Sequence, residues 1–195
     1  YGPDGQCVEQ PAEPEPFCQK IKIRSYPAQN YLGLIFVYLG EGEPPPLPRY
    51  PDFENGEGVH QVGSYVRDCN YFNNIENGCD PVHTAFAHRS ATDLVGVPQM
   101  AAEESDFGIT MYATRPGESV KVNQYGMPNL LLRKAAAAEV GAGGTDALSW
   151  RVPIDDERHL SFNLDLLHVR GDAAQRTRER RAARAERLAG LPRAA

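Results

Sequence analysis

No stretch of the 195 residues approaches the roughly 20 consecutive apolar positions that a membrane-crossing helix needs. The amino end, YGPDGQCVEQ, has neither the basic start nor the apolar core of a secretion signal. A spanning helix is therefore excluded, and a soluble, cytoplasmic protein is expected. Basic residues are also in short supply, with Lys and Arg numbering 20 against 26 Asp and Glu for a formal charge of -6. Neutralising phosphates takes a cationic surplus, so nucleic acid is not an expected partner. The four cysteines, Cys7, Cys18, Cys69 and Cys79, include no C-x-x-C pair, which argues against a zinc knuckle or a dense disulfide framework and leaves buried free thiols as the default. No internal repeat is evident. What remains is a globular composition, 41% hydrophobic and 24% charged, with length for one substantial core and part of a second.

Tyr1 opens into Pro3-Asp4-Gly5, a turn signature that places its first strand before residue 1, so both ends read as cut. After a Pro- and Glu-rich stretch, YLGLIFVYLG (Tyr31 to Gly40) has the length and the β-branched, aromatic content of a buried strand. The following EGEPPPLPRYP can be neither helix nor central strand, because proline fixes φ and removes donors. A boundary there divides the chain into residues 1–45 and 46–195. From Val66, apolar positions at Cys69, Phe72, Ile75 and Cys79 predict a helix running into an irregular end. From Gly108 onward the period becomes two: ITMYATRP, SVKVNQY, a turn at Gly126-Met127-Pro128, LLLRK, a Gly/Ala-rich loop (Ala135 to Gly144), ALSWRVPID and HLSFNLDLLHV. In the last of these Leu160, Phe162, Leu164, Leu166 and His168 share one face and Ser161, Asn163 and Asp165 the other. Strands joined by short turns imply an antiparallel sheet, and the fold class expected is α+β. The arginine-rich DAAQRTRERRAARAERLAG (Asp172 to Gly190) reads as a surface helix, with an anion-binding or partner-docking face as the alternative.

The string NYFNNIENGCDPVHTAFAHR, Asn70 to Arg89, carries the chemistry. Glu76, Asp80 and His83, spaced by four and three, fall on one helical face. His88 follows five after His83, and five steps of an ideal helix leave two side chains about 140° apart. Sharing an ion requires a distorted turn, which Pro81 can supply, since it lacks an N–H and crowds the turn before it; a wide π-type turn is one form. The helix is therefore predicted to be irregular or to end between Asp80 and His88. Two neutral imidazoles near a carboxylate suit a divalent metal, with open positions for oxygen and substrate if the ion is iron. Two half-exposed helical histidines with no metal are the competing reading. Asp80 either accepts the second N–H of a metal-bound imidazole or is an ordinary surface carboxylate.

These residues resemble a family. DCNYFNNIENGCDPVHTAFAH is similar to the iron motif of the Rieske ring-hydroxylating oxygenases, phthalate dioxygenase-like branch, C-N-[WY]-x-Q-x-x-E-x-x-x-D-x-x-H-x-x-x-x-H. Cys69, Asn70, Tyr71, Glu76, Asp80, His83 and His88 match it, and the usual glutamine is Asn73 or Asn74. YGPDGQCVEQPAEP resembles the stretch after the second cluster motif, YLGLIFVYLGEGEPPPLP the final strand and exit linker of the Rieske domain, and RVPIDDERHLSFNL a family strand pattern, VPIDDTHTxHF. The likeness covers most of residues 1 to 170.

The resemblance implies that residues 1–45 are the carboxyl-terminal remnant of an all-β Rieske domain and 46–195 part of a catalytic domain with an antiparallel helix-grip sheet. His83 and His88 would bind mononuclear Fe(II). Asp80 would bridge to a cluster-ligating histidine of a neighbouring subunit and pass electrons, and Asn77 stands where some members place a site asparagine. The third iron ligand, an aspartate farther downstream, is not assigned to Asp155, Asp156, Asp165 or Asp172. None of the cysteines has the C-x-H and C-x-x-H context of a [2Fe-2S] cluster. His60, His159 and His168 default to structural or surface roles. The implied partners are an NAD(P)H-dependent reductase or ferredoxin, dioxygen and an aromatic substrate, in a homotrimer. Asn123, Asn129 and Asn163 are candidates to line a pocket. Two rivals stand beside this reading: a zinc hydrolase, and a metal-free module binding an apolar ligand on the curved sheet.

Overall fold

The computed structural model describes residues 1–90, 96–135, 140 and 143–189, in two compact units, Tyr1–Glu54 and Asn55–Ala195. In the first unit the predicted Pro3-Asp4 turn forms, closed by the Gly5 N–H donating to the Gly2 carbonyl at 2.9 Å. Gly5 has φ +80°, and a Cβ there would lie 2.1 Å from the Ile23 carbonyl oxygen, so only glycine fits. A 3-10 turn at Cys18–Lys20 is followed by a hairpin of β1 (Ala28–Tyr31) and β2 (Leu34–Val37). The apolar run expected to be one buried strand is instead the turn and second arm of this hairpin. Leu32 and Gly33, both at positive φ, make the tight connection that a right-twisted hairpin needs. Tyr31 is buried while Ile35 is 73% exposed, which corrects the expectation of a buried strand. The proline-rich stretch forms neither helix nor strand up to Tyr50, and its last residue, Pro51, opens a short α1 at Pro51–Asn55.

The second unit is a seven-stranded antiparallel sheet in the order β3-β9-β8-β7-β6-β5-β4. Its strands are β3 (Val59–Arg67), β4 (Gln99–Ser105), β5 (Gly108–Thr114), β6 (Lys121–Gly126), β7 (Leu130–Lys134), β8 (Thr145–Pro153) and β9 (His159–Leu167). All five segments read as period-two strands are strands, and Gly126-Met127-Pro128 is a turn containing a cis Met127-Pro128 bond. The Gly/Ala-rich loop falls largely outside the described residues. The arginine-rich segment forms α4 (Gly171–Ala189), which packs on β3. Among the described residues no helix is long and apolar enough to cross a membrane.

β3 and β4 are the two edges of this sheet, so the chain between them has to cross its full width. That crossing carries α2 (Tyr71–Gly78) and α3 (His83–Ala87). The sheet presents two unlike faces to its surroundings. On the even-numbered face Leu132, Leu148 and Leu164 stand side by side in adjacent strands and are buried. Each such leucine contributes about 1.5–3 kcal/mol. On the odd-numbered face lie Arg151, Ser161 and His159, also buried. The expected division of β9 therefore holds only in part. Leu164 and Leu166 are buried, but at its start His159 and Ser161 are the buried pair and Leu160 and Phe162 are partly open.

The helix expected from Val66 begins later. Val66 and Arg67 end β3, and Asn70 starts α2 by accepting the Phe72 N–H on its side-chain oxygen at 2.9 Å. Of the apolar positions that suggested the longer helix, Ile75 alone is buried within α2.

Candidate metal centre

α2 ends at Gly78, two residues before the predicted break, and the chain turns through Cys79–Val82 into α3. The local sequence dictates this. The Cys79 N–H still donates to the Ile75 carbonyl at 3.0 Å, but Pro81 has no N–H with which to continue the helix. Asp80 then restarts it: Oδ1 accepts the Val82 N–H at 2.8 Å and the His83 N–H at 3.3 Å. Aspartate before proline is a favourable helix start, since the side chain satisfies free donors and the ring presets φ. Glu76, Asp80 and His83 consequently do not share one helical face, contrary to the spacing argument. Glu76 is exposed on α2, Asp80 sits in the break, and His83 opens α3.

The break fixes His83. Its Nδ1 lies against the Asp80 main-chain carbonyl and 3.6 Å from Asp80 Oδ2. A carbonyl oxygen can only accept, so Nδ1 carries the proton and Nε2 keeps a lone pair. His88 reaches the same region without a π-type turn. α3 stops at Ala87, and His88 leaves helical geometry with φ -105° and ψ 17°, which undoes the divergence of a regular helix. The His83 and His88 ring centroids are 5.2 Å apart, with planes at 68°. An ion about 2.1 Å from one nitrogen of each ring places the centroids about 4.6 Å apart at a right angle and about 5.3 Å at a tetrahedral angle. The observed separation lies within that range. Among the described residues no third His, Cys, Asp or Glu joins the pair.

His83 also lines a cavity of about 500 Å3 between the helix break and the odd-numbered sheet face, together with Asn77, Asp80, Met111, Asn123 and Arg133. His83 is partly covered, its side chain 23% exposed, whereas the Asp80 side chain is 51% exposed and His88 is open to solvent. Asn77 is exposed but borders the cavity. Of the three asparagines, Asn123 lines this cavity and Asn163 a second one, whereas the Asn129 side chain donates to the Arg151 carbonyl.

Four contacts that spacing did not reveal seat the helices on the sheet. The Tyr125 hydroxyl donates to the Gly78 carbonyl, and Arg115 donates to the Pro81 carbonyl at 3.0 Å. Arg151 Nε donates to the Asn74 side chain at 2.9 Å, and the Asn70 side chain donates to the Asp156 carbonyl in the β8–β9 turn at 2.9 Å. Burial pushes the Tyr125 phenol and the Cys79 thiol up from their ordinary values, and pushes Arg151 down. The one readable signal was the alternation of KVNQYG, which puts Asn123 and Tyr125 on the same face.

The other histidines lie elsewhere. His159 is fully buried with Nδ1 2.8 Å from the Cys69 carbonyl, so it ties β9 to the residues before α2. His168, expected on an apolar strand face, lies just beyond β9, with Nε2 3.1 Å from Asp146 Oδ2. His60 is in β3.

No family model matches the chain. It is 29% identical to the tert-butanol monooxygenase / tert-amyl alcohol desaturase oxygenase subunit of Aquincola tertiaricarbonis, over 90% of this chain and 43% of that protein. It is also 29% identical to the phenoxybenzoate dioxygenase subunit alpha of Ectopseudomonas oleovorans, over 92% of this chain and 47% of that protein. The chain thus spans about half the length of these curated relatives. Its fold superimposes on dicamba monooxygenase bound to dicamba with a TM-score of 0.69 at 18% identity, over 98% of this chain and 70% of that one. Motif order, a helix-crossed antiparallel sheet and these relatives agree: the chain fits the oxygenase (alpha) subunits of the Rieske non-haem iron oxygenases, to which it is similar in sequence and fold.

Proposed function

We propose that this chain supplies two of the protein ligands, His83 and His88, of the mononuclear Fe(II) in an oxygenase component that hydroxylates or O-demethylates an aromatic substrate. The observation that carries the reading is the ring pair at 5.2 Å with His83 Nδ1 committed to the Asp80 carbonyl, which leaves Nε2 for an ion. Iron held there supplies redox chemistry toward dioxygen. The chain's own residues prepare the place. Asp80 orients His83 through its main chain and caps α3 through Oδ1, while its half-exposed carboxylate remains accessible to a group from a neighbouring subunit of a homotrimer. A [2Fe-2S] cluster, its ligands expected outside residues 1–195, would supply the electrons of an NAD(P)H-dependent reductase or ferredoxin, and the Asp80 carboxylate is the group of this chain placed to bridge toward it. Asn77 and Asn123 border the cavity beside His83 and offer polar contacts to the substrate. Residues 1–45 are the end of the cluster domain and 46–195 part of the catalytic domain, with the third iron ligand, an aspartate, supplied by another part of the full-length protein. A dependence on NAD(P)H and four free cysteines both suit the cytoplasm.

The test is His83→Ala in the full-length protein. Iron content and substrate turnover are both expected to fall to background. A zinc hydrolase would instead carry stoichiometric zinc and give no paramagnetic signal with nitric oxide, and a metal-free binding module would keep its ligand affinity in the variant.

A further inference from the structure

Two thiols near the amino end take no part in the metal centre. Cys7 is 7% exposed and Cys18 half-buried, and both are free. An isolated antiparallel bridge between Gln6 and Lys22 sets their two segments side by side. The Cys7 N–H donates to the Ile21 carbonyl at 3.0 Å, and the Ile21 N–H closes the 3-10 turn on the Cys18 carbonyl at 3.1 Å. The Gln6 side chain clamps the same turn, donating to the carbonyls of Cys18 at 2.7 Å and Ile21 at 3.0 Å. Held in this frame, the Cys18 thiol meets the Gln10 side-chain oxygen at 3.5 Å and also the Cys7 thiol.

Cys69 and Cys79 are a comparison within the same chain. They lie ten positions apart and Cys7 and Cys18 eleven, so an unfolded chain would bring either pair together with similar ease. In the folded chain α2 stands between Cys69 and Cys79 and, at its rise per residue, separates them by about 15 Å. A disulfide needs a Cα separation below about 7 Å, so the fold forbids the later pair while it brings the earlier one together. Within Tyr1–Glu54 the buried apolar side chains are Cys7, Tyr31 and Phe53, and a unit with so small a core gains most from a cross-link.

We infer that Cys7 and Cys18 form a reversible redox cross-link, made by exchange with a small disulfide of the glutathione type, which closes residues 8–17 into a loop. The Cys18 thiolate, the more accessible of the two, attacks a sulfur of glutathione disulfide and releases one glutathione. The Cys7 thiolate then displaces the second glutathione from the Cys18 sulfur. The protein gives up two electrons and two protons, and one glutathione disulfide becomes two glutathiones. Desolvation and the neighbouring Cys7 hold the Cys18 thiol above its ordinary value, so the exchange is slow and records a sustained change of redox state. The cross-link does not depend on the oxygenase reading.

The test incubates the full-length protein with glutathione disulfide, quenches with acid, alkylates the remaining thiols and maps the peptides by mass spectrometry. The Cys7–Cys18 product is expected to exceed any Cys69–Cys79 product at least about tenfold in the folded protein and to revert with reduced glutathione. In urea the two products should come within about twofold of each other. Cys7→Ser is expected to trap Cys18 as a mixed disulfide with glutathione. Free Cys7 and Cys18 after treatment of the folded protein overturn the inference, as does a lasting Cys18–glutathione adduct in the parent. The same product ratio in urea and in the folded protein overturns it too, because the fold then does nothing to join the pair.

Discussion

Replacing Asp80 in two ways separates what its side chain does for the fold from what its charge does for function. The Asp80 carboxylate accepts two main-chain N–H groups at the start of α3, at 2.8 and 3.3 Å, and only the shorter is of good length. An asparagine in its place would retain an oxygen in the same position, and asparagine caps helices as well as aspartate does. The main-chain carbonyl that holds His83 Nδ1 is untouched by either replacement. Asp80→Asn is therefore expected to match the parent in iron content and to change stability by no more than a few tenths of a kcal/mol. Asp80→Ala loses the cap and should cost about 1 kcal/mol, a melting shift of about 2–4 °C for a domain of 150–250 residues. Thermal unfolding and metal analysis of the full-length variants read these two quantities. The charge is read separately, by reducing the cluster in each variant and following product formed in a single turnover. Asp80→Asn should still accept electrons at the cluster but deliver product far more slowly. Parent-like single-turnover rates in Asp80→Asn would refute the electron-bridging role, and loss of iron in that variant would refute the argument that the main chain, not the carboxylate, orients His83.

Two further perturbations address the sheet beneath the site. Tyr125→Phe keeps the ring that packs on Gly78 but strips the hydroxyl that donates to the Gly78 carbonyl, so the full-length protein should lose about 1–2 kcal/mol. Its denaturation midpoint should fall with an unchanged slope, and an unchanged midpoint would dispose of the claim that this bond seats α2. Asp165 is held above the usual carboxylate range by desolvation, with Arg133 and Arg181 opposing the rise. A raised folded value means that stability gained from protonation is present below the unfolded value and lost as pH rises through the folded one. Asp165→Asn should therefore stabilise the protein near neutral pH by an increment that shrinks as pH falls below the folded value, and melting curves in which the increment grows toward acid pH would contradict this.

Strands β5 to β9 were legible because alternation survives where one face is covered by apolar neighbours, as in Leu132, Leu148 and Leu164. The edges were not. β3, VHQVGSYVR, is almost wholly exposed and includes a mid-strand glycine, and β4, QMAAEES, is exposed throughout, so neither sequence carries a burial pattern to read. Their pairing is decided by partners far along the chain, Val59 with Leu167, or by the hairpin that follows, Gln99 with Thr114. Val66, Cys69, Phe72 and Ile75 mimicked one helical stripe because their spacing fits a 3.6-residue period, yet the first belongs to a strand. The local cue that could have corrected this is Asn70, whose short acceptor side chain favours a helix start.

The site divides along the same line between local and non-local information. That the helix carrying His83 and His88 is interrupted was readable from Asp80 and Pro81, because a cap and a missing N–H act over a few residues, and the two rings do approach each other. Which distortion would join them was not, since a π-type turn and an early helix end satisfy the same spacing. The structure chooses the second by stopping α3 at Ala87. Arg115, Tyr125 and Arg151 were beyond reach for a stronger reason. Each meets α2 or the break after it from 34 to 77 residues away in sequence, and the sheet's register sets which side chains in and just after its strands face them. A one-residue slip in β8 would carry Arg151 to the opposite face and put Trp150 or Val152 beneath Asn74. The stability of the leucine face that locks this register is thus also what holds the guanidinium under the helices. A sequence that keeps its histidine motif intact still loses the site once that apolar ladder is disturbed.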